Sequence, residues 1–517
     1  MDHVGESSAS AAPTLGKLAS IAGATIENAG NAESGTAEEL AIEAISLDSN
    51  AVEPGGLFAA LPGTRVHGAR FAADSPAGAI LTDAEGREII RQAGDTRPVL
   101  VVDDVRAILG DVSAEVYGHP SREMTLIGVT GTSGKTTTTY MLERGLNAAG
   151  CTVGLIGTTG TKINGVEVPT ALTTPEAPKL QSLFARMRRE GVTHVVMEVS
   201  SHALMLGRVG GADFDVAGFT NLSQDHLDFH PTMEEYFDAK ALFFKPSSPL
   251  AAKQGVICVD DEWGQRMASV AAQPVTVGTR GQSDVDVVAT LLSAAGTGAQ
   301  DIQLEIHGQS HHFTLPMPGA FNVANAALAV ALADAVGVDA AAFISGLSGA
   351  AVPGRMERID GGQDFVAVVD YAHKPAAVAA VLDTLKKQVS GRIGVAVGAG
   401  GDRDESKRPI MGAEAASRAD LVIVTDDNPR SEDPATIRAA VLEGAVSAAP
   451  PSTEIREIGD RREAISQLVA WAQPGDAVIV VGKGHEVGQI IGDTTHHFDD
   501  REEMRRALQA CGHGREE

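Results

Sequence analysis

The segment from 125 to 150, TLIGVTGTSGKTTTTYMLERGLNAAG, constrains the fold more than any other part of the chain. An apolar stretch, a glycine-rich loop and an amphipathic stretch follow one another, which predicts a strand, a loop and a helix. Such a loop holds phosphate oxygens with its backbone N–H groups, while Lys135 reaches the β- and γ-phosphates and the Thr136 hydroxyl can ligate Mg²⁺. Val129 stands where the full pattern has glycine, so the alternative is an ordinary glycine turn. We expect a nucleotide-binding loop.

Two further apolar stretches, VTHVVMEVSS and DVAGFTNLSQDHLDFH, also end in polar residues. Strands of this kind are typical of a doubly wound, mostly parallel sheet, whose functional side chains lie at the carboxyl edge. Glu198 ends the first stretch, and Asp225, His226 and Asp228 follow the second. Carboxylates there would suit Mg²⁺, although an imidazole prefers softer metals, and the alternative for DHLDFH is a polar loop or a helix cap.

Lys240 lies in YFDAKALFF, on an otherwise apolar helix face. Taken alone, it would most often be a surface lysine whose stem covers apolar neighbours while the amine reaches water.

The whole chain is predicted to be an α/β protein of three domains. Its 517 residues suit roughly three domains of ~100–200 residues each. We place a disordered tail at 1–12, an N-terminal domain at 13–122, the phosphate-loop domain at 123–352 and a Rossmann-like domain at 353–517. The segment VPGRMER, at 352–358, is a plausible hinge between the last two.

Composition excludes several classes of protein. The net charge of −27 argues against a nucleic-acid partner, and the 43% hydrophobic content argues against disorder. Three distant cysteines, the absence of a signal peptide and the absence of an 18-residue apolar run predict a cytoplasmic protein without a membrane partner.

The last third of the chain carries glycines and cations after its predicted strands, in GAGGDRDESKRP, TDDNPRSEDP and GKGHE. GAGGDR does not fit the dinucleotide pattern G-x-G-x-x-G. Arg430 could hold a carboxylate in bidentate geometry. The alternative is a surface salt bridge with Asp427 or Glu432, and GKG could be a mere turn.

Taken together, these motifs resemble the Mur ligases of peptidoglycan precursor synthesis. LDSNAVEPGGLFAALPG, GTSGKTT, LTTP, MEVSSHAL, TNLSQDHLDFH, DAKALFF, PGRMER, DYAHKP, GGDRDESKRP, DNPR and GKGHE occur in the family's order along nearly the whole chain. The resemblance implies that the first domain binds the uridine diphosphate end of the substrate. The second would be a P-loop ATPase, and the third would bind the incoming amino acid.

The resemblance also implies roles for individual residues. The ATP site would be formed by Gly131, Thr132, Ser133, Gly134, Lys135, Thr136, Thr137, Arg355 and Asp370. The UDP-sugar dipeptide would contact Leu47, Ser49, Thr64, Arg65, Val66, Thr173, Thr174, Ser200 and Arg208. The amino-acid pocket would be formed by Arg403, Asp427, Asn428, Pro429, Arg430, Gly482 and Glu486. Glu198, His226 and Thr136 would ligate Mg²⁺, and Lys240 would become a carbamate that binds a second Mg²⁺. Lys135, Glu198, His226 and Lys240 would be the catalytic residues.

The implied reaction joins meso-diaminopimelate to the D-Glu γ-carboxylate of UDP-MurNAc-L-Ala-D-Glu through an acyl phosphate. It would use ATP, two Mg²⁺ and CO₂ for the carbamate, in a monomer. DNPR is the form associated with diaminopimelate, and L-lysine or L-ornithine remains the alternative. A folylpolyglutamate synthase would lack the first domain, and a P-loop switch would have no use for Lys240. Leu172 and Leu206 depart from residues common in the family, which weakens the expected dipeptide contacts there.

Overall fold

The computed structural model describes residues 12–27, 37–63, 65–170, 172–226, 229–282, 284–294, 298–350 and 352–513. The predicted tail at 1–12 lies outside this part of the chain except for Ala12, and so do Thr64 and Asp228. The described residues form three large sheets and one hairpin. Among them, no helix is both long and apolar enough to cross a membrane.

The first sheet has five strands in the order β1-β5-β4-β3-β2, all parallel except β1. The strands are β1 (Thr25–Glu27), β2 (Ile45–Ser46), β3 (Leu57–Ala59), β4 (Ala79–Thr82) and β5 (Val99–Val101), and the helices are α1 (Leu15–Ala22), α2 (Ala84–Gln92) and α3 (Val105–Val116). Short 3₁₀ turns cover Gly68–Phe71 and Pro120–Glu123. Asp83 and Asp104 accept backbone N–H groups and so start the second and third helices.

The second sheet has eleven strands in the order β16-β15-β14-β13-β12-β11-β6-β10-β7-β8-β9. They are β6 (Thr125–Thr130), β7 (Val153–Gly157), β8 (Gly160–Ile163), β9 (Val166–Val168), β10 (His194–Glu198), β11 (Val216–Phe219), β12 (Gln254–Cys258), β13 (Val275–Gly278), β14 (Val287–Ala294), β15 (Gln300–Ile306) and β16 (Gln309–Leu315). The stretch from β14 to β7 is parallel, and the antiparallel strands lie only at the two edges.

Helices cover both faces of this sheet. They are α4 (Lys135–Ala148), α5 (Ala177–Arg189), α6 (Ser201–Met205), α7 (Met233–Ala241), α8 (Glu262–Val270), α9 (Ala320–Ala335) and α10 (Ala340–Ser345), with a 3₁₀ turn at Gly346–Gly349. The helices α4 and α9 pack on one face, and α5 and α7 pack on the other. The alanine-rich helix α9 is almost wholly buried, as its composition predicts.

The third sheet has six strands in the order β17-β18-β22-β19-β20-β21, parallel except for β17. Its strands are β17 (Glu357–Arg358), β18 (Val366–Asp370), β19 (Ile393–Val397), β20 (Leu421–Val424), β21 (Glu454–Glu457) and β22 (Ala477–Val481). A hairpin of β23 (Gly488–Ile491) and β24 (Thr494–His497) follows. The helices are α11 (Pro375–Gln388), α12 (Lys407–Ala416), α13 (Pro434–Ala448), α14 (Arg461–Trp471) and α15 (Asp500–Ala510).

These sheets confirm the predicted fold class, an α/β chain with a doubly wound, mostly parallel central sheet and a Rossmann-like C-terminal sheet. The exact domain boundaries stay predictions. The motifs follow the carboxyl ends of parallel strands: β6, β10 and β11 in the second sheet, and β18, β20 and β22 in the third. Side chains after both sets of strands contact each other, as the ion pair between Asp225 and Lys374 shows. Functional side chains from two sheets therefore meet in one place.

Candidate active site

The loop after β6 has the shape of a phosphate-binding loop. Gly131 and Gly134 have φ angles of 140° and 89°, and α4 begins at the next residue, Lys135. A Cβ on Gly131 would lie 1.9 Å from the Thr220 hydroxyl oxygen, and one on Gly134 would lie 2.4 Å from the Asn325 side-chain oxygen. Both positions thus require glycine for backbone conformation and for close packing. The half-matched pattern of the sequence is therefore a true strand–loop–helix, and the ordinary-turn alternative has no support here.

Replacing Gly131 with alanine is expected to lower ADP affinity by about tenfold or more, since the new methyl group must displace Thr220 and distort the loop. Titration calorimetry with ADP measures this. Gly165→Ala is the matched control, because Gly165 also has a positive φ of 80° but meets no atom within 4 Å. Unchanged ADP affinity in Gly131→Ala would contradict a role for this loop in nucleotide binding.

Lys135 and Thr136 lie at the start of α4, where they can face a nucleotide. The Lys135 amine donates to the carbonyl oxygens of Gly131 and Thr132, at 2.9 and 3.1 Å. The pKa of Lys135 is lowered to about 8, chiefly by burial, with Glu198 opposing the shift and Lys374 adding to it. The Thr136 hydroxyl donates to Glu198 Oε1 at 2.9 Å.

Arg355 brings a second cation from the third domain to this loop. Its Nη2 donates to the Thr136 hydroxyl oxygen at 3.2 Å, and its guanidinium lies 4.3 Å from the centre of the Tyr371 ring. Its Nε is buried and has no hydrogen-bond partner in the described part of the chain, as expected for a group that waits for an anionic ligand. Asp370 accepts the backbone N–H groups of Met356 and Ala372, so it ties the segment of Arg355 to the loop that carries Tyr371.

Lys240 is buried rather than exposed, with 1% of its surface accessible, so the surface-lysine alternative is wrong. Its amine donates to the Gly131 carbonyl at 3.0 Å, the same oxygen that accepts from Lys135, and it lies 4.7 Å from the centre of the Tyr236 ring. Burial lowers the pKa of Lys240 well below its ordinary value, and the charges of Lys135 and Lys374 lower it further. Its surroundings therefore favour the neutral, nucleophilic form of the amine.

Glu198 supplies a buried carboxylate at the end of β10. Its Oε1 accepts from the Thr136 hydroxyl and the Thr158 N–H, and its Oε2 accepts from the Thr158 hydroxyl at 3.0 Å. It is 1% exposed, and no ion pair to it is found among the described residues. A buried carboxylate without a cation is costly, so the site suits a metal ion.

His226 and Asp225 are paired, and Lys374 of the third domain contacts the same Asp225 carboxylate. His226 has a φ of 53°, and its Nε2 lies 3.0 Å from Asp225 Oδ2. The same carboxylate oxygen of Asp225 lies 2.5 Å from the Lys374 amine, which belongs to the segment DYAHKP. Burial lowers the pKa of His226 to about 4, against the opposing effect of Asp225, so the ring is neutral near pH 7. A neutral imidazole is the form that ligates a metal.

The residues present fit a Mg²⁺ site supplemented by phosphate oxygens. In the described ranges, no three His, Cys, Asp or Glu side chains converge on a possible metal position. Mg²⁺ is commonly bound through one or two carboxylates together with water and substrate phosphates, so a dedicated cluster is not required. Glu198 and the Thr136 hydroxyl are hard oxygen donors beside the loop, and a carbamate on Lys240 would add another.

The residues expected at the dipeptide end are brought together beside Glu198. The Thr174 hydroxyl donates to the Glu198 carbonyl at 2.9 Å and accepts the Ser200 N–H at 3.2 Å, while the hydroxyls of Thr173 and Thr158 are 3.3 Å apart. Arg208 pairs with Glu176, at 2.8 Å from Nε to Oε1. Leu172 is 42% exposed and is free to contact a ligand only through apolar atoms. The Leu206 carbonyl accepts from Arg106 of the first domain, at 3.4 Å, so its backbone contributes to the contact between domains.

The residues expected at the uridine end lie in the first domain. Leu47 and Ser49 are partly buried in the turn after β2, and Arg65 and Val66 are exposed beyond β3. No hydrogen bond or ion pair between these two pairs is found among the described residues, and Thr64 is outside those residues. Their role stays a prediction.

The expected amino-acid pocket is built on loops that follow β20 and β22. The Asn428 amide donates to Glu486 Oε2 at 2.9 Å, and its carbonyl oxygen accepts from Lys483 at 2.8 Å and from the Ile490 N–H at 3.0 Å. A Cβ on Gly482, whose φ is 118°, would lie 2.5 Å from Asp427 Oδ2. Asp427, Asn428, Gly482 and Glu486 therefore form one cluster.

Arg430 is joined to this cluster through Ile490, which also donates to Asn428, and its backbone is held in an unusual conformation. Its φ is 54°, its N–H donates to the Ile490 carbonyl at 3.0 Å, and its own carbonyl accepts from Gly492 at 2.7 Å. The guanidinium donates to the Gly401 carbonyl at 2.7 Å. The alternative salt bridge is wrong, because Glu432 pairs with Arg408 and Asp427 lies nearest Lys483. Pro429 precedes Arg430, and Arg403 is exposed with its guanidinium on the Asp402 carbonyl.

Comparison with known proteins identifies the family. The chain matches the models described as Mur ligase family, catalytic domain at residues 41–117, Mur ligase middle domain at 129–333 and Mur ligase, glutamate ligase domain at 354–484. It is 66% identical to the UDP-N-acetylmuramoyl-L-alanyl-D-glutamate--2,6-diaminopimelate ligase of Corynebacterium glutamicum, over 91% of this chain and 92% of the relative. The chain belongs to the Mur ligase family.

Other Mur ligases agree with this assignment. The protein of the same name from Corynebacterium efficiens is 62% identical over 97% of this chain and 96% of its own length. A solved structure of a UDP-N-acetylmuramoyl-L-alanyl-D-glutamate--2,6-diaminopimelate ligase is 33% identical, covers 94% of this chain and 97% of its own, and has a TM-score of 0.65. A crystal structure of MurF from Acinetobacter baumannii, 20% identical over 91% of this chain and 95% of its own, with a TM-score of 0.64, supports the fold alone.

Several residues at this Mur ligase site are missed by sequence reasoning. Lys374, Tyr371, Asn325 and Lys483 all contact expected site residues. Lys374 and Tyr371 lie in DYAHKP and Lys483 in GKGHE, so their position after a predicted strand is the signal that could have found them. Asn325 lies inside the alanine-rich helix α9, where a pair of asparagines, Asn322 and Asn325, among apolar residues is the hint.

Proposed function

We propose that this Mur ligase joins meso-diaminopimelate to the D-Glu γ-carboxylate of UDP-MurNAc-L-Ala-D-Glu at the expense of ATP. The observation that carries the proposal is the link between two strand-end sites. Arg355 donates to Thr136 beside the phosphate loop and lies over the ring of Tyr371, whose hydroxyl donates to Glu486 in the arginine-bearing pocket of the next domain. The names of the relatives from two Corynebacterium species support the same reaction. We also propose that the enzyme acts as a monomer in the cytoplasm.

The first step activates the carboxylate. The D-Glu γ-carboxylate attacks the γ-phosphorus of ATP, ADP leaves, and an acyl phosphate forms. Both reacting groups are anionic, so their approach must be screened, and such electrostatic screening dominates catalysis of phosphoryl transfer. Lys135, Arg355 and Lys374 place three cations around the loop. Two Mg²⁺ held by Glu198, Thr136, His226 and a Lys240 carbamate would supply further positive charge when bound.

The second step forms the amide. The incoming amine attacks the acyl carbon and phosphate leaves. Water would destroy the acyl phosphate, so the site must exclude it. Contacts between the third domain and the phosphate-loop domain include Arg355 on Thr136 and Lys374 on Asp225. Arg355 belongs to the proposed hinge PGRMER, and a Cβ on Gly354 would lie 2.1 Å from the His485 backbone nitrogen, so this hinge packs tightly against GKGHE.

Arg430 is proposed to select the amino acid. Diaminopimelate has a distal carboxylate that a guanidinium can hold, whereas L-lysine and L-ornithine have hydrogen at that position. Leaving this partly buried cation without its partner is costly, so discrimination between the amino acids is expected.

The test combines purified protein, ATP, UDP-MurNAc-L-Ala-D-Glu and one amino acid at a time, with ADP release as the measurement. We expect ADP release to require all three substrates and to be fastest with meso-diaminopimelate. Faster turnover with L-lysine or L-ornithine would move the specificity to the alternative. ATP hydrolysis that is indifferent to the amino acid would instead support a P-loop switch and contradict the ligase.

A further inference from the structure

Lys483 is a completely buried lysine in the segment GKGHE, and the expected amino-acid contacts give it no role. It follows β22 directly, and 0% of its surface is exposed. Burial lowers its pKa from the ordinary value for a lysine. Full burial of an ammonium group is costly, and proteins seldom retain it unless its donors are used.

Among the described residues, the side chains that form hydrogen bonds or ion pairs with the Lys483 amine belong to the proposed amino-acid pocket. Its Nζ donates to the side-chain oxygen of Asn428 at 2.8 Å, and it lies 3.8 Å from Asp427 Oδ1 and 3.7 Å from Glu486 Oε2. Because Asn428 already accepts from the Ile490 N–H on the same oxygen, its NH₂ group must face Glu486. Lys483 therefore fixes the orientation of one amide and two carboxylates together.

The cluster of Asp427, Asn428, Glu486 and Lys483 has one negative charge more than it has positive charges, so it can accept one more cation. Asp427 and Glu486 carry two negative charges against the single positive charge of Lys483. Burial raises the pKa of Glu486, and the neighbouring Asp427 raises it further, whereas Lys483 opposes that shift. About a third of the Glu486 side chain is exposed, while Lys483 is closed to solvent. A ligand ammonium can thus reach Glu486 but cannot reach Lys483.

The residues next to Lys483 on its buried side are held in place by the hydrogen bonds of Arg461. Arg461, also fully buried, forms two hydrogen bonds of 2.7 Å with Asp500. The same guanidinium donates to the carbonyls of Asp426 and Val481, at 3.2 and 2.9 Å. These carbonyls immediately precede Asp427 and Gly482. Arg461 therefore also links the two loops that Lys483 joins, at the ends of β20 and β22.

We infer that Lys483 is a positioning residue that orients Asp427, Asn428 and Glu486 to bind an ammonium group of the incoming zwitterionic amino acid. The inference rests on the proposed ligation and deepens it. Arg430 supplies the cation for a carboxylate, and the cluster organised by Lys483 supplies the anion for an ammonium. The two together would make the pocket specific for a centre that carries both groups.

The test is Lys483→Met, which keeps the length of the side chain and removes its charge and donors. We expect the KM for meso-diaminopimelate to rise about ten- to a hundredfold, as for the loss of one charge-assisted hydrogen bond, while the KM for ATP stays within about twofold. Lys483→Gln keeps a donor for Asn428 without the charge and should fall between the wild type and Lys483→Met. ADP release gives both constants.

Leu385→Ala is the matched control for instability. Leu385 is buried in α11 of the same domain, outside the pocket, so this variant should melt at a lower temperature with an unchanged KM for the amino acid. The double variant Lys483→Met with Glu486→Gln should raise the KM for meso-diaminopimelate by less than the two single fold-changes multiplied together, because Lys483 acts through Glu486.

The outcomes separate the two proposals. If the wild type turns over without an added amino acid, the proposed function fails. If the wild type depends on an amino acid but Lys483→Met leaves its KM unchanged, or raises the KM for ATP equally, the role of Lys483 is overturned while the function stands. Failure of both Lys483 variants to fold would also overturn it, in favour of a purely structural lysine.

Discussion

Replacing Lys240 with methionine is expected to lower the ligation rate by about 10²–10³-fold or more without unfolding the protein. The methionine fills the same buried space on α7 and removes an amine that burial makes unfavourable as a cation. We therefore expect a melting temperature equal to or above that of the wild type. ADP release with all substrates present measures the rate, and a thermal melt measures stability.

The physical reason is the state of the amine. A neutral amine attacks CO₂, a proton leaves, and an anionic carbamate results. The surroundings of Lys240 favour the product, because Lys135 and Lys374 repel a cation at this position and attract an anion. The carbamate would bring hard oxygen atoms to the phosphate loop, where Mg²⁺ is needed, whereas methionine offers only a soft thioether.

A second measurement separates the carbamate from a merely space-filling lysine. With ¹³C-bicarbonate, the wild type should show a carbamate carbon signal in NMR that is missing from Lys240→Met, and removal of CO₂ should slow the wild type reversibly. Lys253→Met is the matched control, because Lys253 is two-thirds exposed and paired with Asp215 on the surface, so its loss should change neither signal nor rate. If Lys240→Met keeps more than a tenth of the wild-type rate, the assignment of a catalytic carbamate to Lys240 is contradicted.

The burial of Lys240 is a feature that local sequence patterns do not predict. The helix α7 has acidic residues at Glu234, Glu235 and Asp238, so its local pattern is that of a half-exposed helix. Burial of Lys240 comes from the way α7 packs beside the loop after β6, more than a hundred residues earlier in the chain. The family resemblance could indicate the lysine's role, but no local pattern could.

The fold was easier to predict because its signals are local. A strand, a glycine-rich loop and a helix in direct succession predict a phosphate loop, and polar residues after apolar strands predict a shared carboxyl edge. Contacts between domains have no such signal. The pairing of Lys374 with Asp225, and of Arg355 with Thr136, depends on how two sheets face each other.

Arg430 gives the last prediction, and its setting explains the size of the expected effect. Its backbone has a positive φ and is hydrogen-bonded to Ile490 of β23 and to Gly492 directly after that strand, so the main chain sets the direction of the side chain. In the described part of the chain no carboxylate forms an ion pair with it, and its guanidinium is held by the Gly401 carbonyl alone. The guanidinium is therefore still available to a carboxylate ligand.

Arg430→Ala is expected to raise the KM for meso-diaminopimelate far more than the KM for ATP. Truncating one partner of a buried, hydrogen-bonded charge pair costs about 2–5 kcal/mol, which corresponds to roughly 30- to 4000-fold in kcat/KM. The preference for meso-diaminopimelate over L-lysine should shrink at the same time, since L-lysine never used the guanidinium. Alanine carries the same Cβ as arginine, so the strain of the positive φ is unchanged.

Arg456→Ala is the matched control for this experiment. Arg456 lies on β21 in the same domain, and among the described residues its ion-pair partner is Glu454 at the surface, so its removal should leave all three Michaelis constants unchanged. Competition between meso-diaminopimelate and L-lysine, followed by the ratio of the two products, gives the specificity directly. Equal rises in the Michaelis constants for ATP and diaminopimelate in Arg430→Ala would mean that Arg430 supports the domain as a whole rather than the amino acid. An undiminished preference over L-lysine would place the specificity on another residue of the pocket.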